Sequence, residues 1–563
     1  MLAPAAARVR ALAPRRRDLA EMGGHPGPDL AAGLTVAIVA LPLALAFGIA
    51  SGLGAGAGLT SAIVAGLIAA VFGGSRVQVS GPTGAMTVVL VPIAAAHGTD
   101  GVLAVGMLAG AILLVLAWSG AARAMRFVPL PVVEGFTIGI AAVIALQQVP
   151  SALGVDAEGE RPLLLALNAL ADWATSPLAA APVIALLVTG AILVLGGRWP
   201  RLPVALGAVA AAAIACFAFD LPVARIGALP SPLGAPGLPA VDPSILMDLL
   251  PAALAVAALA ALESLLSASV ADGMTIGERH DPDRELVGQG LANVVTPLFG
   301  GVPATAAIAR TAVNVRAGAR SRLAAVTHSI ALLVVAVAAA GLVAWIPLAA
   351  LAGVLFATTA RMVNPGSVRA MWRAHRPDAA VLAITAAATL ALDLVTAVLI
   401  GLAVAIVAAL RAYARHATVE ELPLDTRDHA DEERALLHRH VIAYRFDGPL
   451  FFAASHAALV DPAARGDVHV VIFRMSHLTT LDTTGAALLG ETIRSLEDDG
   501  IIVLLSGLQP EHARLLNALG VLAHLRHAHH VFDHTPDAIE HALSHLQRER
   551  PRGATSPRPA RAS

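Results

Sequence analysis

Between Leu30 and Ala414 the chain is a succession of apolar runs, most of them close to the roughly 20 residues a helix needs to cross a bilayer. Lipid offers no partner to an exposed backbone N–H or C=O, so runs of this length without strand-like alternation can fold only as a bundle of membrane-spanning helices. The composition agrees: 57% of residues are hydrophobic and 14% charged, which no soluble domain of this length would carry. Runs lie at 30–52, 58–73, 101–118, 130–153, 177–196, 202–219, 246–271, 284–299, 323–344, 346–362, 378–394 and 395–414. With two interrupted segments described next, they make about fourteen membrane elements.

The stretch from Ala253 to Arg310 is the most informative part. It opens as ALAVAALAALESLLSASV, in which the one ionisable residue is Glu263. A charged residue at a helix centre costs roughly 2.5 to 3.5 kcal/mol on an insertion scale, so Glu263 is expected to face a bundle interior or wet cavity. Ser267, four residues on, shares its helix face and is expected to add a hydroxyl to the same cavity. LFGGVPATAAIART follows, where two glycines and Pro303 break the apolar run. Residues Ala304 to Val313 then read as a half-helix starting inside the membrane, whose first N–H groups form an anion site.

A second such start lies in SGPTGAMTVVLVPIAAA. Ser80 is expected to cap it, with Pro82 in its first turn and Thr83 placing a hydroxyl at its mouth. Pro42, inside the first run, predicts a discontinuous first span. VFGG at 71–74 precedes Pro82 as LFGG at 298–301 precedes Pro303. The two halves therefore read as internal repeats, and paired interruptions of this kind mark a transporter's substrate site.

Charge sets the orientation. Arg15, Arg16 and Arg17 precede the first span, and arginines recur in alternate loops, including Arg76, Arg123, Arg126, Arg198, Arg201, Arg316, Arg320 and Arg322. The positive-inside rule then puts both termini in the cytoplasm of a multi-pass inner (plasma) membrane protein. Residues 1–29 read as a retained cytoplasmic segment. The net charge of −2 and the acidic stretch after the last span give no footing for nucleic acid. The one cysteine, Cys216, excludes internal disulfides and cysteine metal centres.

From Leu436 the pattern turns to soluble α/β. HRHVIAYRFDGPLFFA supplies two strand-like runs, and DVHVVIFRM (467–475) and GIIVLLSGL (500–508) one each. TTGAALLGETIRSLEDD and PEHARLLNALG have helical periodicity. The expected organisation is a 30–415 membrane domain, a 416–435 linker, a 436–546 α/β domain and a 547–563 disordered tail rich in Pro, Arg and Ser.

SGPTGAMTVVL (80–90), ESLLSASVADGMTIGERHDPDRELVGQGLAN (263–293), FGGVPATAAIARTAVNVRAGARS (299–321) and LDTTGAALL (481–489) together resemble the SulP anion transporter family. The resemblance covers nearly the whole chain. It implies an α-helical membrane protein of fourteen segments in a seven-plus-seven inverted repeat, with core and gate domains and a cytoplasmic STAS domain. It also implies homodimers and alternating access. Carried over, the anion site comprises Thr83 and the backbone of Ala306, Ala307 and Ile308, with Arg310 adding positive potential. Glu263 falls at the coupling position, with Ser267 one turn on. Sodium-coupled relatives carry Asp at the first place and a further hydroxyl where this chain has Ile308, which favours a proton over sodium here. DTTG (482–485) matches a loop that is phosphorylated in bacterial anti-sigma-factor antagonists. Thr484 would be the acceptor, while Asp482 and Thr483 are equally explained as helix N-cap chemistry.

The expected function is therefore secondary active transport of a small anion across a lipid bilayer, with sulfate, bicarbonate and C4-dicarboxylates all open and no cofactor. A sodium-coupled bicarbonate symporter is one alternative. A non-transporting membrane sensor acting through a cytoplasmic protein partner of the STAS domain is the other. An enzyme is not expected. His524, His527, His529, His530 and His534 could read as a metal or pH-sensing site, but in a chain of twenty histidines and no lysine the expectation is a solvated loop with no metal. The charged loop Arg279 to Glu285 is likewise expected to be mostly solvated, with Arg284 and Glu285 pairing.

Overall fold

The computed structural model describes residues 16–549, apart from 121, 123–128, 160, 200–202, 229–233, 235, 276–278, 375, 393, 416, 426–429 and 452–466. Residues 1–15 and the tail from 550 lie outside the described residues. Two compact units are present, 1–403 and 404–563. The first contains helices α1 (Pro26–Ala50), α2 (Ala55–Phe72), α3 (Gly84–Ser119), α4 (Leu130–Gln147), α5 (Ala180–Arg198), α6 (Val204–Ala218), α7 (Leu246–Met274), α8 (Pro282–Val295), α9 (Ile308–Arg316), α10 (Arg322–Ala338), α11 (Leu348–Met362) and α12 (Arg376–Ala391). Helix α13 (Leu394–Ala414) runs across the unit boundary. Among the described residues, eight helices are long and apolar enough to cross a membrane.

Small side chains let these helices approach closely. A Cβ on Gly58 of α2 would lie 2.1 Å from the carbonyl oxygen of Ala44 in α1, and one on Gly33 would lie 2.4 Å from that of Ala324 in α10. Elsewhere Leu186 and Leu187 of α5 stay exposed, as lipid-facing side chains must. Helix α1 packs on α10, and α7 packs on α3, so the leading helix of each half docks on a helix of the other half.

Helix α1 runs continuously through Pro42, contrary to the expected break. Proline removes one intrahelical bond but cannot by itself break a helix whose buried turns are held from outside, and Ala40, Leu41, Ala44 and Leu45 are all buried. The real interruption is at Gly98, whose φ of 65° divides α3 into a half-helix and a following span. Neither half-helix begins where the sequence pattern put it. Each is preceded by a two-residue strand, β1 (Ser80–Gly81) and β2 (Thr305–Ala306), and these pair antiparallel with Ser80 opposite Ala306. Helix α9 starts at Ile308 and α3 at Gly84, so Pro82 precedes the first turn instead of occupying it.

The second unit is a sheet flanked by helices. Strands β3 (Thr418–Leu422), β4 (Val441–Leu450), β5 (Val470–Arg474), β7 (Ile502–Ser506) and β8 (Val531–Phe532) lie in that order, with β6 (Leu478–Leu481) paired alongside the C-terminal end of β4. Only β3 is antiparallel to its neighbour. The run read as two strands is the single strand β4, and the segment read as a linker supplies both the edge strand β3 and helix α14 (Asp431–His440). Alternation along β5 explains the layers. Val471 and Phe473 pack with α15 (Thr483–Asp498) and α16 (Pro510–Ala518), while Val470 and Ile472 pack with α14 and α17 (Thr535–Glu549).

Candidate functional site

Helices α8 and α7 hold the two extended segments in place. Asn293 of α8, fully buried, donates to the carbonyl of Ala304 (2.8 Å) and accepts from its N–H (2.8 Å). Gln289, one turn earlier, donates to Ser80 Oγ (2.8 Å) and to Glu285 Oε1 (2.9 Å). Ser264 of α7 shares a hydrogen bond with Thr305 Oγ1 (2.8 Å) and accepts from the N–H of Ala306 (3.2 Å), while its carbonyl takes the Gln78 side chain (2.8 Å). An extended backbone segment inside a membrane protein needs such partners, because water cannot supply them.

The strand pair brings the two helix starts to one cavity of about 450 Å³. Thr83, Gly84 and Ala85 line it from α3; Ala307, Ile308, Ala309 and Arg310 line it from α9; Glu263 lines it from α7. Phe47, Phe136 and Ile140 contribute apolar wall. The first intrahelical bonds are Thr87 N–H to Thr83 and Thr311 N–H to Ala307. The N–H groups of the first turn of each helix therefore remain unpaired within their helices, and their positive ends converge on the cavity.

The structure redistributes the roles expected of individual residues. The N–H of Ala306 is taken by Ser264, and that of Ala307 by the carbonyl of Val79 (3.0 Å). Both are consumed, one by α7 and one by the backbone leading into β1, so the donors available on this side are those of Ile308, Ala309 and Arg310. Thr83 is at the mouth, but its hydroxyl donates to Glu263 Oε2 at 2.8 Å. Ser267 does not line the cavity. Its hydroxyl donates to Thr311 Oγ1 (3.1 Å), which also accepts from the N–H of Val79 (3.2 Å), because α9 packs against that turn of α7. Arg310 is 1% exposed; its Nη2 donates to the carbonyl of Pro82, and its buried Nη1 has no hydrogen-bond partner among the described residues.

The charged loop is more ordered than its composition implies. Arg284 and Glu285 are buried and do not pair with each other. Arg284 meets Asp18 (2.7 Å), and Glu285 Oε2 accepts from the N–H groups of Gly74 and Ser75 (2.9 and 3.1 Å), tying α8 to the end of α2. In the α/β unit Asp482 caps α15 by accepting from the N–H of Gly485 (2.8 Å), and Thr483 and Thr484 are exposed in the helix's first turn. The histidine loop is not uniformly solvated: His530 is fully buried.

Sequence reading missed Ser264, Gln289, Asn293, Thr305 and Thr311. The signal was available, since amides and hydroxyls in an otherwise apolar helix need partners. Which partners they take depends on helices far apart in sequence.

Residues 28–385 match the sulfate permease family and residues 434–538 match the STAS domain. The chain is 34% identical over 523 residues to a putative sulfate transporter, YvdB, of Bacillus subtilis, covering 90% of this chain and 96% of that one. It is 30% identical over 535 residues to the bicarbonate transporter BicA of Synechocystis, covering 92% and 94%. Among solved structures, the transmembrane domain of a cyanobacterium bicarbonate transporter BicA superposes with a TM-score of 0.60 at 33% identity, covering 66% of this chain and 97% of that one. SLC26A9 superposes with a TM-score of 0.79 at 17% identity, covering 97% and 95%, a likeness of fold.

Proposed function

Because the chain belongs to the sulfate permease family and carries a STAS domain, we propose that it is a secondary active transporter that couples a small anion to a proton through Glu263. That it is a multi-pass membrane protein of an anion-transporting family, and not an enzyme, is the premise. The finer reading concerns its site. The observation that carries it is the buried guanidinium of Arg310, whose Nη1 has no hydrogen-bond partner among the described residues, beside two helix N-termini that open on one cavity. An unpaired buried N–H on a cation is costly, and an oxyanion would satisfy it together with the first-turn N–H groups of α3 and α9.

Glu263 shares that cavity and is held by Thr83. An arriving anion competes with the ionised carboxylate for the same positive groups, so anion binding favours protonation of Glu263, and by linkage protonation favours the anion. Ser267, the hydroxyl one turn from Glu263, is turned to Thr311 and does not line the cavity, and this supports a proton over sodium, since a hard cation needs several oxygen ligands converging beside the carboxylate. The two termini would be cytoplasmic and the protein a homodimer of the plasma membrane, as its relatives' family pattern implies.

Uptake by purified protein in proteoliposomes tests the reading, with radiolabelled sulfate, bicarbonate and succinate offered separately and in competition, under an imposed pH or sodium gradient. Saturable uptake of one of them, driven by the pH gradient, is expected. Uptake driven by sodium alone would assign a sodium symporter. Absence of uptake of every anion would favour a sensor acting through the STAS domain.

A further inference from the structure

Helix α17 carries His541 and His545 four residues apart, on one helix face. Two histidines at this spacing can ligate one metal ion, as they do on the helix of zinc metalloproteases. Their Nε2 atoms are 3.2 Å apart. With metal–nitrogen bonds of 2.0–2.1 Å, two imidazoles on a tetrahedral ion sit about 3.3 Å apart, so this pair already has the separation of a ligand edge.

The loop before β8 brings two more. His529 and His530 face α17, with ring centroids 5.7 and 5.4 Å from that of His541, and His530 lies 5.4 Å from His545. One ring nitrogen from each of His529, His530 and His541 falls within 4.8 Å of the others.

The independent observation is His530. It is fully buried, yet neither ring nitrogen has a hydrogen-bond partner among the described residues. An imidazole always carries a lone pair or an N–H on each nitrogen, and leaving both unmet in an interior is unfavourable. Burial, and then the neighbouring imidazoles of His545, His541, His527 and His529, push His530 down to about 4, so the ring is neutral near pH 7. Its backbone is fixed independently of the side chain, by the bond from the N–H of Leu505 in β7 to its carbonyl (2.9 Å).

We propose that His529, His530, His541 and His545 form a binding site for one divalent transition-metal ion, with zinc as the type ion, that fastens α17 to the β8 edge of the STAS sheet. Imidazole is the ligand shared by Zn²⁺, Ni²⁺ and Cu²⁺. The four nitrogens meet zinc's tetrahedral preference without a carboxylate or thiolate. The site lies wholly in the α/β unit, so it is independent of the anion cavity.

Full-length protein, its purification tag removed and metal stripped by chelation, is titrated with zinc chloride by calorimetry and studied by zinc-edge X-ray absorption. One zinc ion per chain is expected, with three or four nitrogen neighbours at about 2.0–2.1 Å. His529→Ala, an exposed change that leaves the core intact, should weaken this binding at least about tenfold, and His541→Ala with His545→Ala should abolish it. Circular dichroism of the metal-free variants checks that they fold; if the double variant does not, His529→Ala alone decides. Zinc binding that is equal in wild type and His529→Ala, absent from the wild type, or fitted by fewer than three imidazoles would overturn the proposal.

Discussion

Replacing Glu263 with glutamine keeps the side chain's size and removes only its capacity to ionise. The structure sets what else changes. Thr83 donates to Glu263 Oε2 at 2.8 Å, and the glutamine carbonyl can accept the same bond. A bond to a charged acceptor contributes about 1.5–3 kcal/mol and one to a neutral acceptor about 0.5–1.5, so the local loss is about 1 kcal/mol and the variant should fold. The loss of coupling is larger in consequence. One pH unit is worth 1.36 kcal/mol per proton, so a carrier moving one proton per anion accumulates its substrate about tenfold across such a gradient. Proteoliposomes with the membrane potential clamped at zero and an inwardly directed gradient of about one pH unit should reach that ratio with the wild type. With Glu263→Gln the ratio should be about one, while anion exchange at equal pH continues. Tenfold accumulation by the glutamine variant would refute the assignment of Glu263. Wild-type uptake that ignores pH but requires a sodium gradient would refute the proton.

Arg310→Gln should weaken anion binding about 10- to 100-fold, the worth of a charge-assisted bond, with Arg310→Lys recovering part of it; binding measured on detergent-solubilised protein reads both. Asn293→Leu leaves the N–H and carbonyl of Ala304 without partners and should cost about 2–4 kcal/mol, seen as a lower thermal unfolding midpoint and slower uptake. Asp482→Ala removes the cap of α15 and should destabilise the STAS domain by about 1 kcal/mol in denaturant titration, without changing anion affinity. Deleting residues 416–563 should leave anion binding intact in folded protein, because every residue of the cavity precedes Ala403; loss of binding would show that the site needs the second unit.

Hydropathy, periodicity and punctuation by glycine and proline are local properties, so the sequence alone determined the membrane helices, the acid at Glu263, the two interrupted segments and the strands β5 and β7 of the STAS domain. Local pattern did not single out Ile308 and Arg310; the resemblance to the SulP family did, and both line one cavity with Thr83 and Glu263. Partnership between distant groups was decided only by the tertiary structure. Thr83 and Glu263 are 180 residues apart, and nothing near either foretells that the hydroxyl is engaged by the carboxylate. Ser264 takes the N–H of Ala306 and the carbonyl of Val79 that of Ala307, which leaves those of the next turn, a shift of one or two residues that no propensity encodes. Ser267 has the right helix face for the cavity, yet α9 packs there first and Thr311 takes its hydroxyl. His529 and His530 read as part of a solvated loop, and nothing in their spacing pointed to His541, which α17 brings beside the buried His530. In each case hydrogen-bonding capacity is written in the residue type, but its use is fixed by whichever backbone or side chain packing delivers within reach.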